Sequence, residues 1–176
     1  MSILDFMRII DDKPVELYSP EEFEIAVKNF IKEKGETLTD FQVNHLEVIE
    51  GSDGEYEIDV TAKFTVLDGA EIKVLIECKH YKRSVDRDKV MILNQKLQST
   101  GAHKGMIFTT SKFQRGAVEF AKKHGIALAK LAHSEATYYL KSRLVDIYEV
   151  SIDEDDETSY KIVCDKNGIM QDLFAN

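Results

Sequence analysis

Residues 56–79 read YEIDVTAKFTVLDGAEIKVLIECK, and this stretch decides the fold. Apolar and polar residues alternate from Tyr56 to Val66 and again from Ile72 to Lys79, which is the period of a half-buried strand. The even-numbered residues of both runs form the predicted inner face. Leu67-Asp68-Gly69 lies between the runs, so the sequence predicts an antiparallel hairpin.

The parity of the two runs fixes the register of this hairpin. Directly opposed residues share a face, so the sum of their numbers must be even. A three-residue loop with a left-handed Gly69 gives a sum of 136, whereas a two-residue turn gives 137. Asp59 then lies opposite Glu77, and Lys79 lies two residues further along on the same face. The sequence therefore predicts a cluster of two acids and one lysine.

This cluster has a functional explanation and a plain one. Either acid alone would suit a solvent-facing strand that carries unrelated charges. Two facing carboxylates, however, repel each other unless a cation lies between them, and Mg²⁺ takes one or two carboxylates together with waters and phosphates. Lys79 beside such a cation would orient or deprotonate a water. We therefore favour a divalent-cation site.

The residues around the hairpin predict helices and further strands. Ser19, Pro20 and Glu22 form a helix start with a capping box, and a strand follows over residues 41–48. After the hairpin, helical patterns alternate with short apolar strands, which indicates parallel pairing through helical crossovers. The predicted order is a helix over 86–99, a strand over 105–109, a helix over 113–123, a strand over 126–129, a third helix over 132–147, an acidic turn at 153–157 and a hairpin over 160–173.

The composition indicates a globular protein with an uneven charge distribution. The chain has 176 residues, a net charge of −9 and two cysteines, Cys78 and Cys164. We expect a cytoplasmic protein without a disulfide scaffold, signal peptide or membrane span. We divide it into residues 1–150 and an acidic turn and hairpin over 151–176 that pack on the same domain. Residues 71–130 carry 13 basic and five acidic residues, which suits a phosphate backbone despite the negative total.

Several segments resemble the PD-(D/E)xK nucleases and, within them, the Mrr-type restriction endonuclease catalytic domain. They are Ile58-Asp59-Val60, the run from Ile76 to Arg83, the run from Gly105 to Phe113 with Ala117 and Ala121, and Phe23-Glu24 on the first helix. The resemblance covers residues 20–130. It implies a restriction-endonuclease-like α/β fold, with a mixed sheet in which an antiparallel hairpin precedes parallel strand–helix–strand units, flanked by helices. It also implies metal-dependent cleavage of DNA.

By motif position, the resemblance assigns roles to individual residues. Asp59 and Glu77 would bind Mg²⁺, or Mn²⁺ in its place, with the backbone carbonyl of Cys78, and Lys79 would serve the attacking water. Glu24 matches the family's helix acid, although an ordinary exposed glutamate is the alternative. Gln95 matches a polar residue of the later helix, where the register leaves Asn94, Gln95 and Lys96 open.

Basic and hydroxyl side chains near these residues predict an interface with DNA. The predicted contacts are Lys82, Arg83, Arg87, Lys89, Thr110, Ser111 and Lys112. A solvated helix start is the alternative explanation for the basic run. The sequence therefore predicts an endonuclease that acts on DNA, compatible with a homodimer. The alternative is a non-catalytic nucleic-acid-binding or assembly module that retains the nuclease fold.

Overall fold

A computed structural model describes the chain at residue 14 and over residues 17–132 and 135–140. In these residues one mixed sheet has the strand order β1-β2-β3-β4-β5-β6, where β3–β4 and β4–β5 are parallel and the other pairs antiparallel. The predicted α/β class is therefore confirmed. In chain order the elements are α1 (Pro20–Gly35), β1 (Thr39–Gly51), β2 (Gly54–Val66), β3 (Ala70–Lys79), α2 (Arg87–Thr100), β4 (Lys104–Thr109), α3 (Arg115–His124), β5 (Ala127–Ala132) and β6 (Glu135–Leu140).

Helix α1 covers one face of the sheet. It begins with the predicted capping box, in which the Ser19 hydroxyl accepts the Glu22 N–H at 3.1 Å and the Glu22 carboxylate accepts the Ser19 N–H at 2.6 Å. Its apolar side chains Phe23, Val27 and Phe30 pack against the hairpin and β4. This packing fixes α1 beside the even-numbered face of β3.

Helices α2 and α3 cover the opposite face. Val90, Leu93 and Leu97 form the buried stripe of α2, and Ala117 and Ala121 form that of α3. These side chains share a core with Leu75, Ile107 and Leu128 of the central strands. The sheet is thus enclosed between two helical layers, and the ends of its central strands are held in place from both sides.

The hairpin has the predicted register and a different turn. Val60 pairs with Ile76, and Val66 pairs with Ala70, so the numbers of paired residues sum to 136. The loop has the predicted three residues, but Gly69 is not left-handed. Leu67 and Asp68 have positive φ values of 51° and 55° instead. Two successive left-handed residues already reverse the chain, so Gly69 is not needed for that purpose.

The alternation of β2 is interrupted at Asp59. Val60 packs on the α1 side as predicted, whereas Ile58 and Tyr56 pack on the side of α2 and α3. The prediction that these even-numbered residues share one face is therefore wrong at its N-terminal end. On the neighbouring strand β1, Leu46 lies opposite Asp59 and has a φ of 53°. After this residue the side chains of β1 point to the faces opposite to those that regular alternation would give them. The irregular backbone places Asp59 at a break in the sheet pattern.

The predicted helix over 132–147 is wrong where the structure describes it. Residues Glu135–Leu140 form β6, antiparallel to β5, with Leu131 paired to Ala136. Tyr138 packs on the α1 side and Tyr139 on the other, so these residues follow the period of a strand. Residues 141–176, where the sequence predicts an acidic turn and a C-terminal hairpin, lie outside the described residues. No helix in the described part of the chain is long and apolar enough to cross a membrane.

Candidate active site

Asp59, Glu77 and Lys79 meet at the C-terminal end of β3. The Lys79 Nζ lies 2.6 Å from Glu77 Oε2 and 3.8 Å from Asp59 Oδ2. One ammonium group therefore contacts both carboxylates, although the regular pairing of β2 and β3 ends at Val60 and Ile76 and does not include Asp59 and Glu77. The three side chains are at most 20% exposed, so their charges interact through a partly desolvated environment.

The carboxylate of Asp59 replaces part of the hairpin's hydrogen-bond ladder. Its Oδ2 accepts the backbone N–H of Cys78 at 2.6 Å, beyond the last regular pair of β2 and β3. Burial and the charge of Glu77 raise the pKa of Asp59 above its ordinary value, and this effect outweighs the Cys78 N–H and Lys79. The ionised form of Asp59 is therefore disfavoured in the metal-free site, and a bound cation would relieve this cost.

Glu77 is held by two lysines. It is only 5% exposed, its Oε2 accepts from Lys79 and its Oε1 accepts from Lys96, both at 2.6 Å. Burial acts to raise the pKa of Glu77, but the two ammonium groups prevail and lower it. Burial likewise acts to lower the pKa of Lys79, and the charge of Glu77 prevails and raises it. Both groups of this ion pair are therefore ionised at neutral pH.

Helix α2 contributes Lys96 to the site and not Gln95. Lys96 precedes the buried Leu97. Its Nζ donates to Glu77 Oε1 on β3 and, at 3.2 Å, to the carbonyl oxygen of Glu57 on β2. Gln95 is exposed and lies near Asp53 of the β1–β2 turn. One residue on a helix is a rotation of about 100°, so neighbouring positions point in different directions. Of the three residues that the sequence left open, the structure thus brings Lys96 into contact with Glu77.

Glu24 lies beside the cluster on α1. Its Oε2 is 2.8 Å from His45 Nε2 on β1, and both side chains are nearly buried, at 18% and 17% exposure. The charge of Glu24 contributes to the raised pKa of Asp59. Glu24 is therefore close enough to influence the site, and His45 holds it in place. No local pattern predicts this pairing, because the two residues are 21 positions apart.

Cys78 contributes its backbone and not its thiol. The side chain packs in the core on the α1 side, and burial raises the pKa of the thiol well above its ordinary value. A protonated, buried thiol is a poor nucleophile and a poor metal ligand. The resemblance assigned only the backbone carbonyl of Cys78 to the metal, which is consistent with this burial.

Three consecutive hydroxyl groups hold the loop that follows β3. The hydroxyls of Thr109, Thr110 and Ser111 donate to the carbonyl oxygens of residues 79, 81 and 83, at 2.7, 3.3 and 2.8 Å respectively. Thr110 and Ser111, which the sequence assigned to DNA contact, therefore have a structural partner in the loop. Their bonds fix the course of the backbone between Lys79 and Arg83.

This loop and the start of α2 form the walls of a cleft of about 450 Å³. Lys82, Arg83 and Lys89 line it together with Tyr81. Arg87 lies nearby with its guanidinium 5.2 Å from the centre of the Phe120 ring, which limits its freedom. Lys112 is exposed, and its carbonyl oxygen accepts the Val85 N–H at 2.8 Å. Three of the predicted basic residues, Lys82, Arg83 and Lys89, thus line one cleft in the segment that follows Lys79.

We expect replacement of Thr109 by valine to destabilise the protein by about 1–3 kcal/mol, the usual cost of an unsatisfied buried polar group. Thr109 is fully buried, and its hydroxyl is the partner of the Lys79 carbonyl and of the Ser111 N–H. Urea denaturation measures the loss. Thr110→Val removes a longer bond and should cost less. Equal stability of the two variants would contradict this role of Thr109.

The donor set suits Mg²⁺ even though the protein supplies few ligands. No group of three or more His, Cys, Asp or Glu side chains gathers in the described residues. Asp59 and Glu77 nevertheless offer carboxylate oxygens on either side of a point that already holds a positive charge. Mg²⁺ commonly binds one or two carboxylates and completes its shell with waters and substrate oxygens. The residues present therefore fit a magnesium ion.

Comparison with known proteins places the chain in a family. The Mrr_cat family model, described as restriction endonuclease, matches residues 15–133. The chain belongs to this restriction endonuclease family. The match includes both acids, Lys79 and Lys96, so the site described above lies inside the segment that the family model matches. No curated protein is significantly similar to the chain in sequence.

Three solved structures are similar to parts of the chain. The chain is similar to AF1548, a protein of unknown function, with 25% identity and a TM-score of 0.51, over 62% of this chain and 56% of that chain. MspJI restriction endonuclease, solved with a 27-mer oligonucleotide, has 18% identity and a TM-score of 0.46, over 72% and 28%. AspBHI, a DNA modification-dependent restriction endonuclease, has 17% identity and a TM-score of 0.47, over 74% and 32%. The chain thus spans about half or less of each.

Proposed function

We propose that this chain is a nuclease domain that hydrolyses phosphodiester bonds of DNA with Mg²⁺ or Mn²⁺. One observation carries the proposal: a single ammonium group, that of Lys79, contacts both Asp59 and Glu77. Facing carboxylates in a partly buried site need a positive charge between them, and the family to which the chain belongs is one of restriction endonucleases. The contact therefore supports a cation site in a nuclease fold.

The residues of the cluster have distinct roles in the proposed reaction. Asp59 and Glu77 would hold the cation, with the backbone carbonyl of Cys78 as a further oxygen ligand. The bound cation would polarise the scissile phosphate and lower the pKa of a coordinated water. Lys79 would release Glu77 and donate hydrogen bonds to the attacking water or to a phosphate oxygen. Glu24, held by His45, would add negative charge beside Asp59.

The cleft beside the cluster is the proposed DNA interface. Lys82, Arg83 and Lys89 line it, and the hydroxyls of Thr110 and Ser111 fix the loop that presents two of them. A preorganised loop loses less conformational entropy when it binds a phosphate backbone. The chain is acidic overall. These residues nevertheless supply positive charge at the place where the phosphates would lie.

Replacement of Lys82 and Arg83 by neutral residues should lower the affinity for DNA. It should also make that affinity less dependent on the salt concentration. Each lost phosphate contact lowers the slope of log affinity against log salt by about 1. Fluorescence anisotropy of a labelled duplex with Ca²⁺, at several salt concentrations, measures the slope for Lys82→Gln/Arg83→Gln. Lys32→Gln on the exposed surface of α1 is the control. An unchanged slope in the double variant would rule out the proposed interface.

The second candidate is a nucleic-acid-binding or assembly module without catalysis. The observation that favours it is the pairing of Glu77 with two lysines, which neutralises the site without any metal. Incubation of supercoiled plasmid with the protein and Mg²⁺, Mn²⁺ or EDTA separates the candidates. A nuclease converts the plasmid to nicked or linear forms with either metal and not with EDTA. A binding module retards the plasmid on a gel and leaves it supercoiled in every case.

A further inference from the structure

The two carboxylates of the proposed cation site already have two ammonium partners. The Nζ atoms of Lys79 and Lys96 lie 2.6 Å from different oxygens of Glu77, and Lys79 is also 3.8 Å from Asp59. These four charges cancel, and Glu24 adds a further negative charge beside Asp59. A divalent cation that binds alone therefore leaves an excess of positive charge in the site. The four side chains are 6–20% exposed, so water screens this excess only in part.

The two lysines differ in how they are held. Lys79 contacts both carboxylates, at the point where a cation between them would bind, so an incoming cation displaces it. Lys96 approaches Glu77 from the other side, at Oε1, and also donates to the carbonyl oxygen of Glu57 at 3.2 Å. Glu57 belongs to β2 and Glu77 to β3, so two strands anchor the Lys96 ammonium. Lys96 therefore remains when a cation enters.

We propose that Lys96 makes cation binding at Asp59 and Glu77 depend on a nucleic-acid phosphate. The inference rests on the proposed function and adds a coupling that hydrolysis alone does not require. In the DNA-free protein, the anchored charge of Lys96 opposes a divalent cation only one carboxylate away. A phosphodiester brings the negative charge that offsets this repulsion. Cation and DNA then bind with positive coupling, and each raises the affinity of the other by the same factor.

The coupling would lower the fraction of DNA-free protein that holds a cation. A site that is loaded mainly when a phosphate is present has little resident metal ion with which to hydrolyse other substrates. Lys96 is a positioning residue in this proposal, because it acts on the cation through the charge of Glu77. Two simpler roles of Lys96 give different results. If Lys96 only joined α2 to β3, its loss would change the stability of the protein and nothing else. If Lys96 oriented Glu77 for the cation, its loss would weaken cation binding both with and without DNA.

The test uses the full chain and Ca²⁺, which takes the same kind of oxygen ligands as Mg²⁺. Lys96→Met keeps the length of the side chain and removes its charge. Calorimetric titration of the DNA-free proteins with Ca²⁺ should show binding about 10- to 100-fold tighter in Lys96→Met than in wild type, the scale of one charge-assisted hydrogen bond. Fluorescence anisotropy of a labelled duplex measures how much Ca²⁺ raises the affinity for DNA. This increase should be smaller in Lys96→Met than in wild type, by the same factor.

Two further variants complete the experiment. Lys96→Arg keeps the positive charge and should retain the coupling of the wild type. Lys32→Met removes an exposed lysine of α1 and should leave Ca²⁺ binding unchanged. Equal or weaker Ca²⁺ binding by DNA-free Lys96→Met overturns the inference, whether or not its melting temperature falls. A wild-type protein that binds no Ca²⁺ even with the duplex contradicts the proposed function itself, so the two failures are distinguishable.

Discussion

Asp59→Asn is expected to abolish plasmid cleavage and divalent-cation binding without destabilising the metal-free protein. The amide oxygen of asparagine still accepts the Cys78 N–H, so the local backbone retains its partner. The amide removes one of the two anionic ligands, and the remaining Glu77 is already paired with two lysines. Calorimetry with Mn²⁺, plasmid cleavage, and urea denaturation in EDTA measure the three effects.

The direction of the stability change follows from the pKa of Asp59. A carboxyl group whose pKa is raised by folding stabilises the fold as the pH falls through that raised pKa. At neutral pH its charge therefore costs stability, and Asn removes this cost. We expect the free energy of unfolding of the metal-free protein to stay constant or to rise by up to about 1 kcal/mol, the scale of a like-charge cross-strand pair.

Asp53→Asn is the matched control for this prediction. Asp53 lies in the exposed β1–β2 turn, where hydrogen bonds from Ser99 and Tyr56 lower its pKa. The shift is opposite to that of Asp59, so the same chemical change should lower stability and leave cation binding and cleavage intact. If Asp59→Asn lowers stability as Asp53→Asn does and wild type binds no cation, the cluster is structural and the nuclease proposal is wrong.

Lys79→Met is expected to separate cation binding from chemistry. Both carboxylates remain, and the ammonium that occupies the point between them is gone, so DNA-free cation affinity should equal or exceed that of wild type. The attacking water loses its positioning group, and the cleavage rate should fall on the order of 10²-fold or more. Single-turnover cleavage with Mg²⁺ and calorimetry with Mn²⁺ measure the two quantities.

Lys63→Met provides the control for this second prediction. Lys63 pairs with Glu47 at 2.6 Å in the same sheet, with similar partial exposure, but contacts neither acid of the site. Its loss should reduce stability and leave the cleavage rate within the error of wild type. Cleavage at the wild-type rate by Lys79→Met would remove Lys79 from the mechanism.

The register of the hairpin was predictable from the sequence because a strand has a period of two. That period, with the length of the loop, leaves one register in which apolar residues share a face, and the pairs from Val60 to Val66 follow it. The capping box of α1 was equally local, since Ser19 and Glu22 satisfy each other's backbone groups. Each of these predictions depends on residues close in sequence.

The features that were missed depend on contacts between distant residues. The break in alternation at Asp59 accompanies a left-handed Leu46 on the neighbouring strand, and no pattern in either strand alone predicts it. Residues 135–140 contain good helix formers, yet pairing with β5 makes them a strand. The choice of Lys96 over Gln95 depends on the rotation of α2 over the sheet, which the sequence fixes only to within a residue.

The central claim is that Asp59 and Glu77 form a divalent-cation site, and anomalous scattering from Mn²⁺ tests it most directly. Crystals of the wild-type chain with a DNA duplex and Mn²⁺ should show one strong peak between the two carboxylates, about 2.1 Å from oxygens of each. Lys79 should then lie away from Glu77 Oε2. A structure in which the Lys79 ammonium still bridges Asp59 and Glu77, with Mn²⁺ elsewhere or absent, would contradict the account.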